Sequence, residues 1–197
     1  MPSPVGHALG GAIVALVASP SSSAAPLRSF AGRHLALTCA LAACLPDIDF
    51  LWGRHGMETH SLGAALLAGL LALAVTRGRE PRLAIAVALA WASHVLFDWL
   101  GSDTTPPLGV MALWPLSQDF YFGNAFLFAA ISRRYWLEGF WRHNLMAVVT
   151  EVLMLGPLYW AVRRARMGAG AAGSADSAGS TGAGSAGAAG APDARSR

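Results

Sequence analysis

Long apolar runs separated by short polar clusters set the pattern of this 197-residue chain. Residues 5–18, 33–45, 61–76, 83–100 and 145–162 are rich in Ala, Leu, Val and Ile, and each predicts an apolar helix. Residues 120–131 are apolar but short, 132–141 read as interfacial, and 101–119 form a turn-rich loop. Ser19-Pro20-Ser21-Ser22-Ser23 closes the first run and Pro46 stops the second. The link Arg77-Gly78-Arg79-Glu80-Pro81-Arg82 separates 61–76 from 83–100. Run 83–100 is the best span, because at ~1.5 Å per residue it nearly crosses a ~30 Å hydrocarbon core; 145–162 is the second. From Met167 onward the composition collapses to Gly, Ala and Ser, which predicts a disordered tail at 167–197 behind a membrane domain at 1–166. The expected fold is all-α, a multi-pass helical membrane protein with about 4–6 apolar helices in one bundle.

Composition supports that picture. Hydrophobic residues make up 54% of the chain and charged residues 13%, with a mean hydropathy of +0.46, outside the usual soluble balance. The pI of 9.4 invites a nucleic-acid reading, but the net charge is only +3. The arginines sit in small groups at the ends of apolar runs, so they read as topology signals, and no direct nucleic-acid binding is expected. Cys39 and Cys44 lie within an apolar run without zinc-type pairing, and neither a structural disulfide nor a cleaved signal peptide is expected. Trp52, Trp99, Trp114, Trp136, Trp141 and Trp160 fall near predicted span ends, as an interfacial belt does.

Three stretches place ionisable groups against the apolar runs: Leu45-Pro46-Asp47-Ile48-Asp49, Glu58-Thr59-His60-Ser61, and Ser93-His94-Val95-Leu96-Phe97-Asp98. An unpaired charge is expensive there. The chain contains no Lys, and few Arg lie nearby. A bound metal ion is therefore the expected counter-charge. His94 and Asp98 are spaced i, i+4, so one helix face offers two ligands to one metal. The bland alternative is a His–Asp hydrogen bond that holds a loop. Asp47 and Asp49 flank Ile48 beyond the Pro46 stop and could share an ion as oxygen ligands, or serve as turn or capping residues. His60 opens an apolar helix that Thr59 or Ser61 could cap. His7 is a lone histidine at the start of a helix, on its own an ordinary helix-start residue but a candidate ligand beside the others. Glu58 is the candidate general base, together with Asp49, and His55 is an extra ligand. Glu151, deep in 145–162 with no cation at helical spacing, is a functional candidate by position alone. His34 and His143, beside Arg33 and Arg142, read as interfacial.

Counting crossings adds a constraint. If 33–45, 61–76 and 83–100 each cross once, the loops near Arg28/Arg33 and Arg77/Arg79/Arg82 share one face. Loop 46–59 and the end of 83–100 share the other, and His7 joins them if 5–18 crosses. The candidate ligands then gather at one membrane face, with His34 and His143 opposite. The arginine bias makes the opposite face cytoplasmic. Arg163, Arg164 and Arg166 fit this scheme only if 120–131 does not cross.

His7, then Leu45-Pro46-Asp47-Ile48-Asp49, Thr59-His60-Ser61, Ser93-His94-x-x-x-Asp98 and Trp114-Pro115 together resemble the YdjM-like family. That family is described as LexA-binding, inner-membrane-associated, metal-dependent hydrolases. The resemblance runs from His7 to about Ser117 and more loosely through Arg142-His143-Asn144 to Glu151. It implies a multi-pass protein of the bacterial inner membrane with a metal-hydrolase site drawn from His7, Asp47, Asp49, His60, His94 and Asp98. One departure stands out: where the family often has His-Arg-Gly, this chain reads His55-Gly56-Met57-Glu58, so an arginine suited to a substrate anion is missing.

The expectation is thus a membrane-embedded hydrolase using a divalent metal, Zn or alternatively Mn or Mg, on a lipid or phosphoester substrate. The alternative is a non-catalytic membrane protein whose metal or His–Asp network is structural and which binds a regulatory protein partner.

Overall fold

The structure, a computed structural model, describes residues 1–19, 30–104 and 106–182. Five helices follow one another: α1 (Pro4–Ala18), α2 (Phe30–Cys44), α3 (Leu62–Val75), α4 (Pro81–Leu100) and α5 (Phe140–Gly182). Ser3 caps α1 by accepting the Gly6 amide, with Pro4 pre-set for the first turn. Ser61, rather than Thr59, caps α3 and accepts from the Ala64 amide at 2.9 Å. At Pro46, α2 tightens into a 3₁₀ segment, Leu45–Trp52, which ends at Gly53 with φ +69°, a left-handed conformation suited to glycine.

Among the described residues, three stretches are long and apolar enough to cross a membrane: Arg33–Trp52, Pro81–Leu100 and Phe140–Ala169. α1 and α3 are apolar but shorter. α4 lies at the centre against α1, α2 and α3, and α1 also packs on α2 and α5. Small residues fill the interior: Ala15, Cys39, Ala42, Ala43, Ala86 and Ala90 are buried together. Large ones, among them Leu37, Leu41, Leu66, Leu71 and Leu153, face outward. Such an inverted distribution suits a lipid surround, where close backbone packing of small residues holds helices together. At Gly11 an added Cβ would lie 2.3 Å from the Cys39 carbonyl oxygen, so α1 and α2 can meet only over glycine.

Residues 120–131 do not form a helix. Their backbone pairs with the preceding loop instead: Tyr121 exchanges hydrogen bonds with Val110 at 3.0 and 2.8 Å, and Ser102 donates to the Phe128 carbonyl at 2.8 Å. No strand forms among the described residues; Gly101↔Phe128 and Val110↔Tyr121 are isolated bridges. The segment therefore returns α5 to the end of the bundle where α4 finishes. Glu151 on α5 meets Ser3 before α1, while the Arg166 guanidinium reaches the Ser19 carbonyl after it. α1 and α5 run in the same direction, and the 163–166 arginines share an end with the α3–α4 link that carries Arg77, Arg79 and Arg82. α5 also continues as helix through Gly182, past Met167 where the tail was expected to begin, in a stretch rich in Ala, the best helix former. Residues 183–197 of that expected tail lie outside the described residues.

Candidate metal centre

α4 sets the centre. His94 and Asp98 project from one face a turn apart, with His94 Nε2 3.1 Å from Asp98 Oδ2. His94 Nδ1 lies 2.7 Å from the Ala43 carbonyl, so its N–H donates there and the Nε2 lone pair faces the carboxylate. α1 brings His7, whose ring stacks on His94 at 3.7 Å between centroids, with Nε2 3.5 Å from Asp98 Oδ1. The turn before α3 brings His60, its Nε2 3.2 Å from Asp98 Oδ2 and 3.6 Å from Asp47 Oδ1. Asp47, from the 3₁₀ segment, is also 3.7 Å from His94 Nε2. Four separate elements thus converge on one point.

Asp49 takes a different position. Its Oδ2 lies 3.0 Å from His60 Nδ1, the nitrogen facing away from Asp98, and its Oδ1 lies 3.0 Å from His55 Nδ1. Thr59 Oγ1 donates to it at 2.7 Å. Trp91 Nε1, one turn before His94, donates to the Thr59 carbonyl at 2.8 Å and so steadies the residue preceding His60. Neither this tryptophan nor the Ala43 carbonyl was singled out from sequence. The i, i+3 spacing of Trp91 to His94 was the available signal for the first, whereas a main-chain acceptor leaves none.

His7, Asp49, His60, His94 and Asp98 are each no more than 1% exposed, and only Asp47 keeps an open edge. Burial works against charge on His60, but the surrounding Asp47, Asp49 and Asp98 carboxylates hold its imidazole well above the ordinary histidine range. Both ring nitrogens of His7, Nε2 of His60 and of His94, and both Asp98 oxygens are buried without a hydrogen-bond partner. Each such orphan costs about 1–3 kcal/mol. Once deprotonated, clustered imidazoles beside carboxylates are the donor set of a divalent cation. Two groups, His7/His94/Asp98 and Asp47/His55/His60, have donor atoms close enough together to hold one. A cavity of about 280 Å³ opens beside Asp47 and His55, with Phe50, Ile131 and Arg133 in its wall.

The remaining candidates lie apart from this point. Glu58 pairs with Arg54 on the outside of the loop, its side chain 39% exposed. Glu151 accepts the Ser3 amide at 2.7 Å and the Ser3 hydroxyl, which fixes the start of the helix that carries His7. His34 sits near the start of α2, at the far end. His143 corrects an expectation. It was to lie at the opposite face, but it lines a cavity of about 780 Å³ that shares Thr104, Ala130, Ile131 and Arg133 with the cavity beside Asp47. The reason is that residues 120–131 fold back without crossing, which shifts every later element by one face.

Residues 1–170 match the family described as YdjM inner membrane protein. The chain belongs to that family. The match covers α1 to α4 and the apolar part of α5, and so every residue of the His/Asp cluster. Comparison with curated proteins and with solved structures returns no match.

Proposed function

We propose that this protein is a metal-dependent hydrolase, multi-pass in a bacterial inner membrane, acting on a lipid or phosphoester substrate at one membrane face. The observation that carries this reading is the set of orphaned donors on His7, His60, His94 and Asp98, enclosed in an apolar bundle. His7, His94 and Asp98 would hold one divalent ion, with His60, 3.2 Å from Asp98, and Asp47, 3.7 Å from His94, completing that site or holding a second ion with His55. Zinc comes first by its preference for imidazole and carboxylate, with Mn or Mg as alternatives. When bound, the ion supplies a Lewis acid and lowers the pKa of a bound water toward ~7.

The protein's own groups supply orientation and proton handling. The Ala43 carbonyl fixes the His94 tautomer, and Asp49 does the same for His60 from behind, as carboxylate–histidine pairs around metals do. His55 lines the cavity with Nδ1 on Asp49 and Nε2 against Met1 Sδ, so it holds Asp49 in place behind His60, whereas Glu58 faces outward. The arginines of 77–82 and 163–166 at the far end favour a cytoplasmic position for that end and an exterior one for the site.

Near-complete burial of four donors favours a second reading, a closed structural metal in a protein that binds a regulatory partner. Metal analysis of detergent-purified protein, wild type beside His94→Ala, tests the centre itself. About one or two equivalents of metal in the wild type and a large loss in the variant are expected; equal content in both would sink the proposal. Cobalt substitution then separates the readings, because added inorganic phosphate perturbs the visible spectrum only if a coordination position is open.

A further inference from the structure

The cavity of about 280 Å³ beside Asp47 borders the His/Asp cluster at its Asp47 edge, so its lining bears on what the site accepts. Part of the wall is apolar, from Pro4, Phe50 and Ile131, and Arg133 lies across it with its guanidinium carbon 4.2 Å above the Phe50 ring. Stacking on an aromatic face holds the guanidinium while leaving its edge N–H groups free to fork onto an oxyanion. Asp103 lines the same cavity, but its carboxylate accepts the Gly109 amide at 3.0 Å. Arg54, the nearer arginine in sequence to the ligand loop, is tied to Glu58. Arg133 also borders the larger cavity, whose lining includes Arg134, His143 and the carboxylate of Glu138. Next in the chain come Tyr135 and Trp136, 73% and 68% exposed, and then Trp141 at 80%. Exposed aromatics of this kind sit at headgroup depth. Arg133 is therefore at the level of lipid phosphates with one side turned to the His/Asp cluster.

We propose that Arg133, braced on Phe50, is the anion-recognising residue of this site, and that the substrate is a lipid with a phosphate-bearing headgroup. This rests on the metal-hydrolase reading for its chemistry. At about 280 Å³ the cavity suits a headgroup and leaves acyl chains in the bilayer.

The test uses full-length protein in dodecyl maltoside, titrated with the non-hydrolysable phosphonate analogue of dihexanoyl phosphatidate, with zinc and without it. Arg133→Gln should weaken binding about tenfold or more, in line with loss of a charge-assisted bidentate contact, at unchanged zinc content. Arg133→Lys should recover part of the loss, and Arg54→Gln should behave as wild type. Equal binding by Arg133→Gln and wild type, or no binding by wild type, overturns the assignment. Inorganic phosphate binding as tightly as the lipid analogue overturns the lipid part alone. Failure of the wild type to bind zinc, with the Arg133 effect intact, would instead count against the hydrolase reading.

Discussion

Asp98 and Glu151 are both carboxylates buried to 1% exposure on apolar helices of one bundle, yet the fold treats them in opposite ways. Glu151 is satisfied by the polypeptide: one oxygen takes the Ser3 amide and the other the Ser3 hydroxyl, at the N-terminus of α1 where the helix dipole favours an anion. Asp98 receives no hydrogen bond on either oxygen and faces three imidazoles whose Nε2 atoms are equally unpartnered. It also stands near the C-terminus of α4, the end that disfavours negative charge. The first carboxylate is a structural joint; the second faces imidazole nitrogens at 3.1–3.5 Å and is met by no hydrogen-bond donor. Burial of an acid in an apolar helix is thus no sign of chemistry until its partners are known.

Substituting the two acids should separate these roles. Asp98→Asn preserves shape but removes the anionic ligand, so metal affinity should fall by more than the ~10–100-fold typical of groups behind the ligands. Elemental analysis and detergent-phase thermal unfolding check it; an Asn variant that retains full metal content would make Asp98 a second Glu151. Asp49→Asn comes next. It leaves the donors in place and loosens His60, so metal affinity should drop about 10–100-fold, measured by competition with a chromophoric chelator. An unchanged affinity would mean that His60 is oriented without Asp49.

Glu151→Ala should cost about 1–3 kcal/mol by orphaning the Ser3 amide, with a smaller, indirect loss of metal through displacement of His7. Glu151→Gln, which still offers an acceptor to Ser3, should lie near wild type in both assays. Metal loss in the Gln variant as deep as in Asp98→Asn would erase the distinction between the two sites. The smallest effect is expected for Glu58→Gln: removal of an exposed pair with Arg54 should change stability by ~0–1 kcal/mol and leave metal content unaltered.

The parts of this centre that could be read from sequence were those carried by local periodicity. The i, i+4 spacing of His94 and Asp98 puts both on one face of α4 whatever the rest of the chain does. Counting one crossing each for 5–18, 33–45, 61–76 and 83–100 brought His7, Asp47 and His60 to the end where His94 and Asp98 lie. The division between Asp47 and Asp49 was not legible. It depends on the 3₁₀ geometry of Leu45–Trp52, where three residues per turn send positions 47 and 49 about 240° apart. Residues 120–131 misled by composition: they are apolar, but Gly123 and Asn124 interrupt them and their hydrogen bonds go to a loop over ten residues away. The Ser3–Glu151 joint spans 148 positions and has no local signature at all.

That joint links the opposite ends of the domain in time as well as in space. α1 leaves the ribosome first, with His7 aboard, and the carboxylate that seats its first turn arrives only when α5 has been made. Synthesis proceeds at about 5–20 residues per second, so for several seconds the nascent chain already contains His7, Asp47, His60, His94 and Asp98 while α1 lacks its anchor. Completion of α5 is then the event that seats the start of α1, and a polypeptide halted before Glu151 should leave the insertion machinery with His7 less firmly held against His94 and Asp98.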